Sequence, residues 1–412
     1  MRQKRRRVNW FLVVILVVLI LLVSYINRFI IPTVESPFLP SPTATRSSES
    51  YINDANALVA DGKFIQAIDI YNEAIRSEPQ NPILYIDIAR ALVFAGRYDE
   101  ALVNASNALL LNPDNSTAHA IRAWALTRKG SLDEADSVIQ EALRLDPNNG
   151  VAHAYYAFLL GNMFEQNTGP YVDPIQSAID ESKTAVAFAP DRLEAHWARG
   201  YILYITGNAE LAIQQYLAAI EINPNISQLH LELGLAYRSL ELTDQALEEY
   251  NLANTLNPSD PLPDLYSSRS LAVVGKFAQA AQYAQTAVQD DPTEPYLRGN
   301  WGYMLYKNFE WPAAVDQFSL MYSGGQSEDG QGIASLPLTD DTWVARYYYA
   351  YAILLAELDR CGEVISLTQV ILSTLPSDEI AIYNSEYALS ICGAGTPVAP
   401  TNTPAIQPTS TP

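Results

Sequence analysis

Residues 81–113 read NPILYIDIARALVFAGRYDEALVNASNALLLNP, and this stretch contains the pattern that decides the fold. Its apolar residues fall at helical spacing in two runs separated near Gly96, which predicts two helices joined by a tight turn. Asn81 followed by Pro82 is a typical helix start, since asparagine caps free backbone N–H groups and proline fits the first turn. Pro113 ends the second helix because proline cannot continue it. The stretch therefore predicts one helical hairpin.

The same hairpin recurs along the chain at a nearly constant spacing. A proline returns every 34 residues, with a single step of 43, at Pro79, Pro113, Pro147, Pro190, Pro224, Pro258 and Pro292. Two alanine series keep this register, at Ala67, Ala101, Ala135, Ala178, Ala212, Ala246, Ala280 and Ala314, and at Ala74, Ala108, Ala142, Ala185, Ala219, Ala253 and Ala287. A series of small residues lies earlier in each unit, at Ala55, Ala89, Ala123, Ala157, Gly200, Gly234, Ser268 and Gly302. Small residues let two helix backbones approach closely, so the series predict stacked helix pairs.

This unit resembles the tetratricopeptide repeat, a pair of helices of 34 residues with the pattern W-x2-L-G-x2-Y, A-x3-F, P. One unit matches it almost completely, at Leu233, Gly234, Tyr237, Ala246, Tyr250 and Pro258. The resemblance covers roughly Tyr51 to Cys392. It implies an all-α fold, an α-solenoid in which helix-turn-helix repeats form a right-handed superhelix. The motif residues are packing residues, so they do not identify a ligand.

The repeat spacing also predicts the organisation of the C-terminal part. We expect about nine helix pairs over residues 51–376, with insertions near 161–174 and 323–341 that form loops on the rim of the solenoid. Residues 377–392 should form a capping helix that covers the apolar end of the last pair. Residues 393–412 are rich in proline and threonine and are expected to be a disordered tail.

The N-terminal residues predict a membrane anchor. Residues 1–8 are basic, and residues 9–31 form an apolar segment of the length, about 20 residues, that a spanning helix needs. A cleaved secretory signal is the weaker interpretation, because its apolar core is shorter and a small-residue cleavage site follows it. Residues 32–50, rich in Pro, Ser and Thr, should form an extended stalk.

The charge distribution predicts the orientation of the chain and excludes one class of partner. Basic residues beside a spanning helix stay on the cytoplasmic side, so we expect a single-pass membrane protein with a cytoplasmic N-terminus and extracytoplasmic repeats. The formal net charge is −21, and from residue 51 onward 18 basic residues face 44 acidic ones. Such a body repels phosphates, which excludes nucleic acid as a partner.

The two cysteines lie near the end of the repeats. Cys361 begins the second helix of the last predicted pair, and Cys392 ends the capping helix. Because these helices should be antiparallel neighbours, the two ends should meet. We therefore expect a disulfide, which an extracytoplasmic compartment permits.

The resemblance assigns candidate binding residues to the concave face, which the first helix of each pair lines in this family. The inward positions hold Arg90, Trp124, Phe158, Trp197, Tyr201, Tyr204, Leu231, Arg238, Arg269, Tyr303 and Tyr306. Aromatic and arginine side chains are enriched at binding hot spots, although several of these aromatics could equally be inter-helix core. Some family members hold a C-terminal carboxylate with Lys and Asn, but here those positions hold Ile52, Ile86, Ala120 and Ala154.

Catalytic and metal sites are not predicted. The four histidines, His119, His153, His196 and His230, occupy one position in successive units, so neighbouring imidazoles lie too far apart to share an ion. None of the common nucleotide-binding, hydrolase or metalloprotease motifs occurs, and no cofactor is expected.

The sequence thus favours a membrane-anchored scaffold, not an enzyme, which binds a protein or peptide segment in its concave groove. One alternative is a glycan-binding or assembly module of envelope polysaccharide biogenesis, since aromatic faces also stack on sugar rings. A ligandless structural spacer is the other.

Overall fold

The computed structural model describes residues 9–30 and 46–393, which divide between two compact units, Met1–Ser47 and Ser48–Pro412. The basic segment 1–8, most of the predicted stalk and the tail from residue 394 lie outside the described residues.

The first unit contains one apolar helix. Helix α1 (Trp10–Tyr25) continues into a π-helical turn, Ile26–Ile30. The 20 residues Trp10–Phe29 have a mean hydropathy of 2.8, and their side chains are exposed. By length and composition this helix can cross a membrane.

The second unit is an all-α solenoid, which confirms the predicted fold class. The first helices of the pairs are α2 (Ser48–Ala60), α4 (Pro82–Phe94), α6 (Ser116–Lys129), α8 (Gly150–Glu165), α10 (Leu193–Ile205), α12 (Ser227–Ser239), α14 (Leu262–Val273), α16 (Pro295–Lys307) and α18 (Thr342–Glu357). Their partners are α3 (Phe64–Ser77), α5 (Tyr98–Leu111), α7 (Leu132–Leu145), α9 (Pro174–Phe188), α11 (Ala209–Ile222), α13 (Thr243–Leu256), α15 (Phe277–Asp290), α17 (Trp311–Ser323) and α19 (Cys361–Thr374). Helix α20 (Glu379–Ile391) follows as the cap.

The two insertions differ in structure. The first extends α8 to 16 residues and adds a loop before Pro174, the first residue of α9. The second contains a short antiparallel hairpin, formed by β1 (Gly325–Gln326) and β2 (Gly332–Ile333), between α17 and α18. The hairpin segment is packed on the solenoid, since the carbonyl of Leu336 accepts a hydrogen bond from the Tyr348 hydroxyl at 2.5 Å.

Close packing within each pair explains why small residues recur. The ring of Tyr250 on α13 lies directly on the backbone of α12 at Gly234, where a Cβ atom would come within 2.5 Å of the ring. Gly200 meets Tyr216, and Gly302 meets Phe318, in the same way. All three aromatic side chains are fully buried. A side chain at these glycines would separate the two helices, so the small residue sets the geometry of the pair.

The first turn of the superhelix is closed by contacts between distant pairs. The side chains of Asn223 and Asn225, in the loop between α11 and α12, donate hydrogen bonds to the carbonyls of Val59 and Ala60 at 3.2 and 2.8 Å. Gly62 allows this approach, because a Cβ there would lie 2.3 Å from the Asn225 carbonyl oxygen. The first pair therefore contacts the end of the fifth, and the pairs between them share an enclosed interior.

Substitution of Gly234 tests the packing rule. We expect Gly234→Ala to lower the free energy of unfolding by about 1–3 kcal/mol, because the new methyl overlaps the Tyr250 ring. Gly362→Ala is the matched control, since Gly362 also lies in a helix but has open space around it. The control should be neutral or stabilising by up to about 1 kcal/mol. Urea unfolding followed by circular dichroism measures both, and equal effects would contradict the packing rule.

Candidate binding surface

The first helices of the pairs supply the inner surface on which the candidate residues lie. The structure buries five of the eleven, namely Trp124, Phe158, Trp197, Leu231 and Arg269. The other six are half-buried, namely Arg90, Tyr201, Tyr204, Arg238, Tyr303 and Tyr306. None of the candidates is fully exposed, so the inner face is partly interior and partly surface. Partner binding by these side chains stays a prediction.

Aromatic rings from four inner helices meet in the closed turn. The indole of Trp197 on α10 lies at centroid distances of 5.3 Å from Phe158, 6.1 Å from Phe94 and 6.2 Å from Trp124. Its Nε1 donates a hydrogen bond to a carboxylate oxygen of Glu232 at 2.8 Å. Trp197, only 3% exposed, is thus a central packing residue of the turn. Substituting it would disturb folding as well as any binding.

A buried ion pair crosses the same interior. The Arg90 guanidinium on α4 contacts the Glu194 carboxylate on α10 at 2.6 Å, and Arg192 lies 3.6 Å from that carboxylate. Glu194 is fully buried. Burial alone would raise the pKa of Glu194, but the positive charges of Arg90 and Arg192 hold it below its ordinary value. The carboxylate therefore stays charged and links the second pair to the fifth.

A cavity of about 550 Å³ lies beside these rings. Phe64, Phe94, Trp124 and Trp197 form its aromatic part, and polar residues including Arg128, Gln228, Asn257 and Asp260 surround them. Arg128 is exposed, whereas Gln228 and Asp260 are half-buried. The cavity combines an apolar floor with a polar rim, the composition typical of ligand pockets.

Sequence reasoning missed several of these cavity residues. Phe94 and Arg128 lie one helical turn beyond Arg90 and Trp124, so helical spacing would have indicated them. Phe64, Gln228 and Asp260 belong to other elements, and the pattern contained no signal that the closed turn brings them together.

The remaining candidates lie further along the inner face. Tyr201 donates a hydrogen bond to Glu165 at 2.5 Å, and burial raises its pKa above the ordinary range. The guanidinium of Arg238 lies 5.1 Å from the ring centre of Tyr266. Tyr303 and Tyr306 pack within a separate C-terminal cluster. The structure therefore divides the predicted groove into an N-terminal group and a C-terminal group.

Each of the four histidines forms a hydrogen bond to the backbone just before its own helix. Each imidazole Nε2 donates to the carbonyl of the proline six residues earlier, Pro113, Pro147, Pro190 or Pro224, at 2.8–3.0 Å. Burial alone would lower the pKa of His153, but hydrogen bonds to Glu181 and to the Pro147 carbonyl raise it. Within residues 9–30 and 46–393, no three potential metal ligands cluster.

The cysteines join the last pair to its cap. Cys361, the first residue of α19, forms a disulfide with Cys392, which follows α20, and their Cα atoms lie 5.5 Å apart. The pairing closes a loop over a sequence separation of 31 residues and fixes α20 against the last pair.

Comparison with known proteins matches the chain to tetratricopeptide-repeat models. One such model matches residues 58–125 and 95–159, a TPR-repeat model matches 200–241, and a third tetratricopeptide-repeat model matches 227–260. These matches cover parts of both the N-terminal turn and the following pairs. Proteins built from this repeat are generally scaffolds without catalytic activity.

Three solved structures are similar to this chain to different degrees. A chain in the crystal structure of the APC/C hetero-tetramer Cut9-Hcn1 is 17% identical with a TM-score of 0.61, over 79% of this chain and 58% of that one. Yeast Tom70 is 16% identical with a TM-score of 0.43, over 84% of this chain and 89% of that one. The structure of Pseudomonas aeruginosa pilF is 20% identical with a TM-score of 0.42, over 51% and 91%. The chain thus spans little more than half of the Cut9-Hcn1 chain, and at this identity the likeness concerns the fold alone.

Removing one partner of the buried ion pair should destabilise the closed turn. We expect Arg90→Leu to cost about 3–5 kcal/mol, because it leaves Glu194 buried without its nearest counter-charge. The double variant Arg90→Leu with Glu194→Leu should recover most of this loss. Arg144→Leu is the control, since its pair with Glu141 is exposed to solvent and should contribute little to stability. Urea unfolding measures the three variants, and equal costs for Arg90→Leu and Arg144→Leu would contradict the role of the pair.

Proposed function

Because the chain belongs to the tetratricopeptide-repeat family, we propose that it is a membrane-anchored scaffold whose inner face binds a segment of a partner protein. The observation that carries this proposal is the cavity beside Trp124 and Trp197, which has an aromatic floor and a polar rim. Its volume of about 550 Å³ falls within the range of about 300–1,000 Å³ typical of ligand pockets.

The burial of the aromatic residues determines which side chains contact the partner. Trp124 and Trp197 are 2% and 3% exposed, so they shape the floor and offer little surface of their own. Direct contacts then come from half-buried Phe94 and Gln228 and from exposed Arg128. An extended peptide suits this arrangement, because one apolar side chain can enter the cavity while its backbone bonds to the polar rim.

Anchoring is the second element of the proposal. Helix Trp10–Phe29 crosses the membrane, and the basic residues before it remain in the cytoplasm. The repeats then lie outside the cytoplasm, where the disulfide between Cys361 and Cys392 is stable.

Peptide selection on the full chain in uncharged detergent tests the binding proposal. Peptides displayed as a random library should be enriched, and the best of them should bind Arg128→Ala and Gln228→Ala more weakly by about 5- to 30-fold each. Arg144→Ala, an exposed arginine on α7, should bind the same peptides with unchanged affinity. Fluorescence anisotropy measures the dissociation constants.

The other outcomes of this experiment each contradict the proposal. Enrichment that is insensitive to Arg128 and Gln228 would place the site elsewhere. Binding of envelope polysaccharide fractions in place of peptides would favour the glycan-binding alternative. Binding of neither peptides nor polysaccharide would favour the ligandless structural spacer.

Membrane extraction tests the anchor. The full chain should remain in the membrane pellet after an alkaline wash, and intact-mass analysis should retain residues 1–31. External protease should digest the repeats in cells stripped of their wall, because those repeats lie outside. Release of a shorter chain that begins after the apolar segment would show instead that the helix is a cleaved signal.

A further inference from the structure

Three arginines on the inner face of the C-terminal pairs lack an acidic partner. They are Arg238 on α12, Arg269 on α14 and Arg346 on α18, and none forms an ion pair with any carboxylate in residues 9–30 and 46–393. In the N-terminal turn, by contrast, Arg90 is neutralised by Glu194. Unpaired arginines are unexpected in a body whose net charge is strongly negative.

Arg269 is a buried cation held by neutral groups. It is 4% exposed, and its guanidinium donates hydrogen bonds to the Tyr347 hydroxyl at 2.7 Å and to the Asn300 side-chain oxygen at 3.3 Å. Both partners are neutral, so these hydrogen bonds do not compensate the charge of Arg269. A buried charge of this kind is costly unless an anion lies nearby.

The ring of Trp343 contacts both buried Arg269 and half-buried Arg346. Its indole ring lies 4.1 Å from the guanidinium carbon of Arg269 and 4.6 Å from that of Arg346, so one ring contacts two cations. Arg346 and Trp343 are half-buried, and Tyr303 lies beside both of them. Stacking restricts the planar guanidinium of Arg346, which lowers the entropy lost when it binds a carboxylate.

The helices around Trp343 contain few acidic residues whose carboxylates could pair with Arg269 or Arg346. Helix α14 has only Asp264, in its first turn, α16 has no acidic residue, and α18 has only Glu357, at its last position. Asp341, just before α18, already accepts hydrogen bonds from the backbone N–H groups of Trp343 and Val344. The site is therefore a local positive region on an acidic protein, suited to an anion from another molecule.

We propose that Arg346, Trp343 and Tyr303, with Arg269 beneath them, bind an aspartate or glutamate side chain in an acidic segment of a protein partner. This inference rests on the proposed scaffold function and adds a second, chemically defined contact on the same inner face. The guanidinium of Arg346 forms the direct ion pair, since two parallel N–H groups match a carboxylate. Buried Arg269 contributes its charge through the low-dielectric interior.

Fluorescence anisotropy with a defined probe tests this site on the full chain in uncharged detergent. The probe is a fluorescein-labelled oligoglutamate with an amidated C-terminus, and the reference is an oligoglutamine of equal length. Oligoglutamate should bind at least about tenfold more tightly, which corresponds to about 1.4 kcal/mol. Arg346→Gln should remove that preference, and Arg346→Lys should retain only part of it. Arg360→Gln, at an arginine paired with Glu363 on α19, should leave it unchanged.

Several results would overturn the inference. Equal binding of the two peptides, or an oligoglutamate preference that survives Arg346→Gln, would exclude this site. Capture of an oligoglutamine with a free C-terminal carboxylate as tightly as oligoglutamate would show recognition of a chain end. Binding of alginate without oligoglutamate would indicate an acidic polysaccharide. If any of these results is found while library-selected peptides still bind in a way that depends on Arg128, the proposed scaffold function is retained. Only the proposed contact with an acidic segment is then rejected.

Discussion

The structure depends on how closely the two helices of each pair approach one another. A glycine or alanine on the first helix lets a buried side chain of the second, such as Tyr216 or Tyr250, rest on its backbone. Each pair then presents an apolar face that only the next pair can cover, and this is why the array grows in one direction and ends in a cap. The disulfide between Cys361 and Cys392 fixes that cap, α20, against α19.

Closure of the first turn gives the two halves of the inner face different properties. Where the α11–α12 loop contacts the first pair, the inner helices face one another and their aromatic side chains become a core. Inside this turn the charge of Arg90 is paired with that of Glu194. Beyond it, Arg269 and Arg346 contact the Trp343 ring, and among the described residues neither forms an ion pair with a carboxylate.

Because the two halves of the inner face differ, the scaffold offers two chemically different candidate binding sites. The cavity in the closed turn suits an apolar side chain bordered by hydrogen bonds, whereas the C-terminal cluster suits a carboxylate. An extended segment that contacts both would gain affinity from two separate contacts on one rigid surface. The strongly acidic exterior would then disfavour anionic segments everywhere except at the cluster, which contributes to specificity.

The sequence alone determined the repeat, because each unit reuses the same local rules. Helical spacing, proline at the end of each pair and small residues at the crossing follow from the backbone within about 34 residues. The N-terminal apolar helix and the position of the cysteines at the last pair were also evident from local pattern. The inward positions followed from the resemblance to the repeat family, and all eleven lie on first helices.

Only the tertiary structure decided which of those positions are interior and which remain accessible. Burial of Trp197 depends on side chains from α4, α6 and α8, and the cavity depends on Asn225 reaching Ala60 across 165 residues. These contacts are set by the pitch of the superhelix, to which every pair adds a small rotation. A pattern that repeats every 34 residues specifies the rotation between two neighbouring pairs well. Closure of the turn depends on the sum of these rotations over several pairs, so no short stretch of sequence indicates it.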